Sequence, residues 1–163
     1  MIIRPATAED VPEVIPLVEK ICGFHEARDP QRYAFVPGAP EMYRGWLTRR
    51  AADADSVFLV AQRPASAGQP ARIVGFLVAD SERDLSIYRH NRIGFIHDVW
   101  VDPAYRNEGV ARQLVMQTIE RFKQIGVDQI RMDVLVDNTP ARGLFESCGF
   151  RPSTVQMLYP LSD

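Results

Sequence analysis

The period of apolar positions changes several times along this chain, and each change predicts an element. Met1 to Arg4 is a short apolar run halted by Pro5, which reads as a strand. Thr7-Ala8-Glu9-Asp10 has the form of a helix start, with Thr7 capping and acids in the first turn. Val11, Val14, Ile15, Val18, Ile21 and Cys22 then follow helical spacing. Pro16 falls inside that helix, where it removes a hydrogen bond, and predicts a bend. Gly23 to Pro40 has no period and collects Phe24, His25, Arg28, Arg32, Tyr33 and Phe35, so it reads as irregular. A second helix is expected from about Glu41 to Ala52, burying Tyr43, Trp46 and Leu47.

Ser56 to Gln62 and Arg72 to Ala79 are rich in Val, Phe, Leu and Ile and predict two strands. The RPASAGQPA segment between them is turn-forming, an exposed hairpin loop. Asp80 to Arg92 is polar and reads as loop or short turn, with His90 on the surface. Gly94 to Val101 predicts a strand that Asp102-Pro103 stops. Val110, Ala111, Leu114, Val115, Thr118, Ile119, Phe122 and Ile125 trace one face of a long helix closed by Gly126. Ile130, Met132, Val134 and Val136 alternate as a strand. Asn138-Thr139-Pro140 opens a further helix, which buries Ala141, Leu144, Phe145 and Cys148 and ends at Gly149. Thr154 to Leu161 predicts a last strand. Strands and helices mixed in this order indicate an α/β or α+β sheet with helices on its faces.

Composition narrows the class without changing this picture. With 163 residues, 46% hydrophobic and 25% charged, the chain fits one domain, residues 1–163, with a core of its own. No repeat, low-complexity block or linker divides it. The net charge of -2 speaks against a nucleic-acid partner, which usually meets a basic excess. The opening MIIRPATAED lacks the apolar core of a signal peptide, and no run approaches a membrane span; a cytoplasmic protein without a membrane partner is expected. Cys22 and Cys148 make neither a disulfide framework nor a CxxC zinc site, so no metal is expected.

Chemistry concentrates in Val101-Asp102-Pro103-Ala104-Tyr105-Arg106-Asn107-Glu108-Gly109-Val110-Ala111, a strand end, a turn and a helix start. The first amides of a helix have no internal acceptor, and the dipole places partial positive charge there. A turn of small residues lets a pyrophosphate approach those amides, and Arg106 and Arg112 add charge. Helix packing alone explains one glycine equally well. A Walker loop is excluded, because no Gly-Lys-Ser/Thr follows, and so is a GxGxxG dinucleotide fingerprint.

Arg106 to Ala111 also resembles the signature of the GNAT superfamily of N-acetyltransferases: Arg or Gln, two residues, Gly, one residue, then Gly or Ala. Asn138, Ala141, Leu144, Phe145, Gly149 and Phe150 are similar to that family's second block, and the opening IIRPATAEDV is typical of members. The resemblance implies a mixed, twisted sheet of six or seven strands flanked by about four helices, splayed open beside Val99 to Val101. Acetyl-CoA would lie in that opening. Its pantetheine arm would pair with the backbone of Val99, Trp100 and Val101, and its pyrophosphate would sit on the amides of Asn107, Glu108, Gly109, Val110, Ala111 and Arg112. Asn138 would contact the arm, and Ala141 to Phe145 would border it. A homodimer is implied by family habit.

The activity implied is acetyl transfer to a primary amine of a small molecule, amino acid or peptide; the alternative is an acyl-CoA-binding module without turnover. An alkylammonium of pKa about 10.4 must lose a proton before it attacks, and the resulting oxyanion needs donors. His97 is the candidate base, on the reading that it shares strand parity with Val99 and Val101; a structural histidine bonded within the sheet is the other reading. Asp98, by the same parity on the opposite face, reads as structural or capping. The family implies the Val99 N–H as oxyanion donor. Phe145 stands where many members have the tyrosine that protonates the departing thiolate, leaving water first, then Tyr105, Tyr159 or Cys148, as replacements. His25, Arg28 and Tyr33, with Arg32 and Phe35, fall in the segment that shapes the acceptor pocket in similar enzymes, where arginines would favour a carboxylate or phosphate on the substrate; a solvated loop is the alternative.

Overall fold

The first corner of the chain is set by charge. The computed structural model describes residues 1–34, 36–66 and 68–161. The Arg4 guanidinium donates to both carboxylate oxygens of Asp10 at 2.7 Å, and Asp10 Oδ2 accepts from the Thr7 N–H at 2.8 Å. Arg4 thereby holds the Asp10 carboxyl below its usual range. This knot joins strand β1 (Ile2–Pro5), through a 3-10 turn at Ala8–Asp10, to helix α1 (Val11–Arg28). Val11, Val14, Ile15, Leu17, Val18 and Ile21 are buried along one side of α1, while Pro16 stands on its exposed side within the element. The helix continues to Arg28, through residues expected to be irregular. Tertiary contacts account for the extension: Phe24 packs edge-on against Trp100 at 5.9 Å, and the Arg28 guanidinium lies 4.5 Å over the Phe24 ring.

Helix α2 (Ala39–Ala52) follows Gly38, and of its three expected core residues Leu47 is buried while Tyr43 and Trp46 are half-buried. Strands β2 (Ser56–Arg63), β3 (Arg72–Arg83) and β4 (Arg92–Val101) pair antiparallel in succession. The loop between β2 and β3 closes with a Ser66–Gln69 bridge; Ala67 within it lies outside the described residues. Asp80 to Arg83, expected as loop, extend β3 by pairing with Arg92 to Phe95. Helix α3 (Val110–Ile125) leads to β5 (Gln129–Met132), which pairs parallel with β4, and helix α4 (Thr139–Ser147) follows. The strand order is β1-β2-β3-β4-β5.

Both faces of this mixed sheet are covered. On one, α1 and α2 pack over Phe58, Val60, Phe76, Val78 and Trp100; on the other, α3 and α4 pack over Leu59, Leu77, Ile96, Val99 and Val101. Ile73 to Asp80 of β3 are buried in an unbroken run, as expected of a strand covered twice. No helix among the described residues is long and apolar enough to cross a membrane.

Two features differ from the sequence reading. The described residues hold five strands, fewer than six or seven. Val134 and Val136 are not strand, because Leu135 turns to accept from the Asn138 N–H at 2.9 Å. Thr154 to Leu161 is not strand either: Arg151 to Leu161 is exposed throughout and makes no backbone hydrogen bond to the rest of the chain. An apolar alternation predicts a strand only where a partner edge meets it.

Candidate active site

The decisive geometry is a one-residue slip in β4. Val78 pairs with Asp98 but Ala79 pairs with Ile96, so His97 is the extra residue of a β-bulge. A bulge interrupts the alternation of faces. Ile96, Val99 and Val101 point to the α3 side, while His97 and Asp98 both turn to the α1/α2 side. The expected parity of His97 with Val99 and Val101 is therefore overturned, as is the placement of Asp98 on the face opposite His97.

Beyond the bulge the sheet opens. β5 stays with β4 only from Ile93↔Gln129 to Ile96↔Met132, so among the described residues no strand lies along the β5 side of His97 to Val101. A cavity of about 990 Å³ occupies this opening. Its walls come from both layers: Cys22, His25, Tyr43 and Trp46 from α1 and α2, and Asn138, Ala141 and Phe145 from α4 and its start. The cavity thus passes through the plane of the sheet, with His97, Asp98 and Val99 on its central wall.

His97 Nε2 lies 2.9 Å from Asp80 Oδ1, and its ring meets Trp46 edge-on at 5.2 Å. The other Asp80 oxygen lies 3.1 Å from Arg50 Nε, an ion pair without hydrogen-bond alignment. Asp80, Glu82 and His97 bring ligand atoms within 4.8 Å of one another, yet the Arg50 cation already faces the shared carboxylate. Asp98 is buried, and desolvation pushes its carboxyl up to about 6 despite His97 and the Tyr43 hydroxyl nearby. Burial likewise raises the Tyr43 phenol, and pushes the Cys22 thiol, 3.9 Å from Tyr43 Oη, up to about 11.

The turn after β4 is shaped by named contacts. Asp102 is held by Lys20 at 2.7 Å and accepts from the Ala104 N–H at 3.2 Å. Arg106 Nε donates to the Val101 carbonyl at 3.0 Å, and its guanidinium lies 4.6 Å over the Trp100 ring. Arg106 is therefore turned back onto the strand end, whereas Arg112 is exposed at the first turn of α3. Asn107 and Gly109 both adopt positive φ, +64° and +77°. This aims consecutive amides outward, and among the described residues none from Asn107 to Arg112 donates to a protein acceptor. A Cβ at Gly109 would meet nothing within 4 Å, so the space before these amides is open.

Other expected site residues fall on both sides of the boundary. Asn138 Oδ1 caps α4 by accepting from the Ala141 N–H at 3.3 Å while lining the cavity. The Trp100 side chain is buried in the α1/α2 layer. His25 stacks on Tyr33 at 5.0 Å and both line the cavity; burial and Arg32 hold the His25 imidazole below its usual range. Arg28 does not line it, being paired with Asp137 at 2.8 Å, and Arg32 approaches Asp133 at 3.7 Å. Phe35 lies outside the described residues. Tyr159 is on the exposed terminal segment. Asp80, Arg50, Trp46 and Tyr43 were not read from the sequence as site residues, since Asp80 lies on β3 and the other three on α2, and only the packing of α2 on the sheet brings them to His97.

The acetyltransferase (GNAT) family model matches residues 23–150. A mycothiol acetyltransferase of Thermobispora bispora is 37% identical over 67 residues, 41% of this chain and 23% of its own length. The ribosomal protein bS18 alanine N-acetyltransferase of Escherichia coli K12 is 32% identical over 69 residues, 42% of this chain and 47% of its own. The aligned stretch thus spans less than half the length of either relative. A solved Bacillus halodurans protein superposes with a TM-score of 0.82 at 24% identity, covering 99% of this chain and 100% of the other, which shows a shared fold. On the match over residues 23–150, the chain belongs to the GNAT acetyltransferase family.

Proposed function

We propose that this protein transfers the acetyl group of acetyl-CoA directly to a primary amine of a small molecule, amino acid or peptide. The observation that carries the reading is the opening between β4 and β5, where a cavity holding His97 lies beside the unpaired end of β4, whose chain leads on to a turn of unpaired amides at the start of α3. The amides of Asn107 to Arg112 fit a pyrophosphate, because they are consecutive, open to solvent and supported by the positive end of α3. Arg112 supplies charge there, and Arg106 braces the turn from beneath. The backbone of Val99 to Val101 offers the free edge along which a pantetheine arm can pair, bordered by Asn138, Ala141 and Phe145.

Within this reading His97 takes the proton from the attacking amine. Asp80 orients the ring and Arg50 holds Asp80. The Val99 N–H donates to the oxyanion, an assignment that rests on the family. Phe145 offers no proton, so water protonates the thiolate, which with a thiol pKa of about 8.5 is a fair leaving group. On the acceptor side the cavity presents Trp46, Tyr33, Tyr43 and Phe95, which favour an amine on an apolar or aromatic body. Arg28 is paired with Asp137, whereas Arg32 lines the cavity and can still favour a carboxylate or phosphate on the substrate. The same reading places the protein in the cytoplasm as a homodimer. Thiol release from acetyl-CoA across a panel of primary amines tests it; CoA binding with no release over a wide pH range would instead support the binding module.

A further inference from the structure

We infer that Asp98 holds a second, non-reacting ammonium group of the acceptor, so that the amines this site prefers are diamines and longer polyamines. The inference deepens the acyl-transfer reading and rests on it for which nitrogen reacts, although amine binding can be measured without turnover.

Asp98 is a carboxylate only 8% exposed, and it stands on the central wall of the cavity. The groups that face it are His97 from its own strand, the Tyr43 hydroxyl from α2 and the Cys22 thiol from α1. Burial raises the Tyr43 phenol and the Cys22 thiol, so both stay neutral. His97 Nε2 is already engaged by Asp80 at 2.9 Å. Among the described residues no lysine or arginine pairs with Asp98, whereas Asp80, the other buried carboxylate of this wall, has Arg50 at 3.1 Å. A buried carboxylate is ordinarily paired, because an unmatched charge out of water is costly. Burial lifts the Asp98 carboxyl to about 6, and above that pH the cavity carries a negative charge that a bound cation would balance.

The chemistry decides which nitrogen it holds. A carboxylate favours the charged form of an ammonium and opposes the loss of its proton. On the reacting nitrogen that would stabilise the ground state against attack. It serves the reaction on a nitrogen that stays charged while another is acetylated. The bulge sets His97 and Asp98 side by side on one face, which suits two nitrogens of one short chain.

The remaining charges of the cavity agree. Arg32 and Arg49, the cations among its lining residues, are exposed, as are Glu41 and Asp133. Away from solvent the lining acids are the half-buried Glu26 and the buried Asp98, and His25 is held below its usual range and so uncharged near neutral pH. Tyr33, Tyr43 and Trp46 pack against methylenes and attract ammonium groups.

Calorimetry on the full chain, without an acetyl donor, tests this with diaminobutane and butylamine, which share a four-carbon body and differ in the second amine. Diaminobutane should bind about tenfold more tightly or better, beyond the twofold that its equivalent ends supply, the usual size of a charge-assisted contact. Asp98→Asn should erase the preference and Asp98→Glu should keep most of it, with CoA affinity reporting that each variant is folded. In thiol release from acetyl-CoA the same preference should appear in kcat/KM and vanish in Asp98→Asn. Equal affinity of the wild type for the two amines, or a preference that survives Asp98→Asn, would overturn the inference. So would a fall in kcat toward butylamine in Asp98→Asn as large as that in His97→Ala with the preference intact, which would assign Asp98 to proton transfer instead. An Asp98-dependent preference in binding, with no thiol released by any amine, would leave this anchor standing and sink acyl transfer.

Discussion

His97 Nε2 and Asp80 Oδ1 lie 2.9 Å apart across β4 and β3, just before the one-residue slip in β4. Without the bulge Asp98 would take the face opposite His97. With it, two ionisable side chains adjoin on one wall of the cavity while Val99 keeps its side chain in the opposite core. A strand bulged at a site re-aims a side chain without a loop.

His97→Ala should lower kcat about a hundredfold or more and leave affinity for CoA unchanged, the usual size for loss of a general base. Asp80→Asn keeps the imidazole but loses the carboxylate that orients it, and should cost less in kcat with KM for acetyl-CoA unaltered. A kcat/KM profile that keeps its acidic limb in His97→Ala would remove the histidine from the mechanism.

Asp98 makes stability depend on pH. Its folded pKa of about 6 lies above the ordinary aspartate value of 3.8, so between these the folded state holds the proton more tightly. Folding is favoured by this group at low pH, and the advantage is lost as pH rises from about 4 to about 6. Asp98→Asn should therefore match the wild type near pH 4 and gain stability over it above pH 6, by at most on the order of 3 kcal/mol. Urea unfolding at both pH values reads the crossover; a variant equally less stable at both would show that Asp98 is held by contacts rather than penalised by burial.

Gly109 sits at φ +77° before the unpaired amides. Gly109→Ala meets no atom within 4 Å and should cost only the backbone strain, about 1 kcal/mol, with CoA still bound. Gly109→Glu adds a negative charge in front of the amides and should abolish CoA binding in a titration calorimeter. Equal CoA affinity of the two variants would locate the pyrophosphate elsewhere.

Gly94 on β4 faces the ring of Phe122 on α3. A Cβ there would lie 2.7 Å from the ring of Phe122, which is wholly buried and cannot swing aside. Gly94→Ala should lower stability by about 1–3 kcal/mol through overpacking. Gly94→Ala combined with Phe122→Leu should recover part of it. Additive losses in thermal unfolding would mean that the two do not touch.

The sequence alone determined the elements whose periods are carried by their own residues. The long amphipathic α3, the strands around Phe76 and Trp100, and the Asn138-Thr139-Pro140 start of α4 were all legible, because local spacing and capping chemistry decide them. So was the small-residue turn before α3, since which amides lack partners follows from where a helix begins. Tertiary structure decided what depends on register and on partners: the bulge that puts Asp98 on the face of His97, the convergence of Trp46, Tyr43 and Arg50 on that wall, and the end of β5 at Met132. The last apolar alternation shows the difference most plainly. Spacing can mark Thr154 to Leu161 as able to form a strand, but a strand is a hydrogen-bonded pair, and its other half is supplied only by whatever edge comes to meet it.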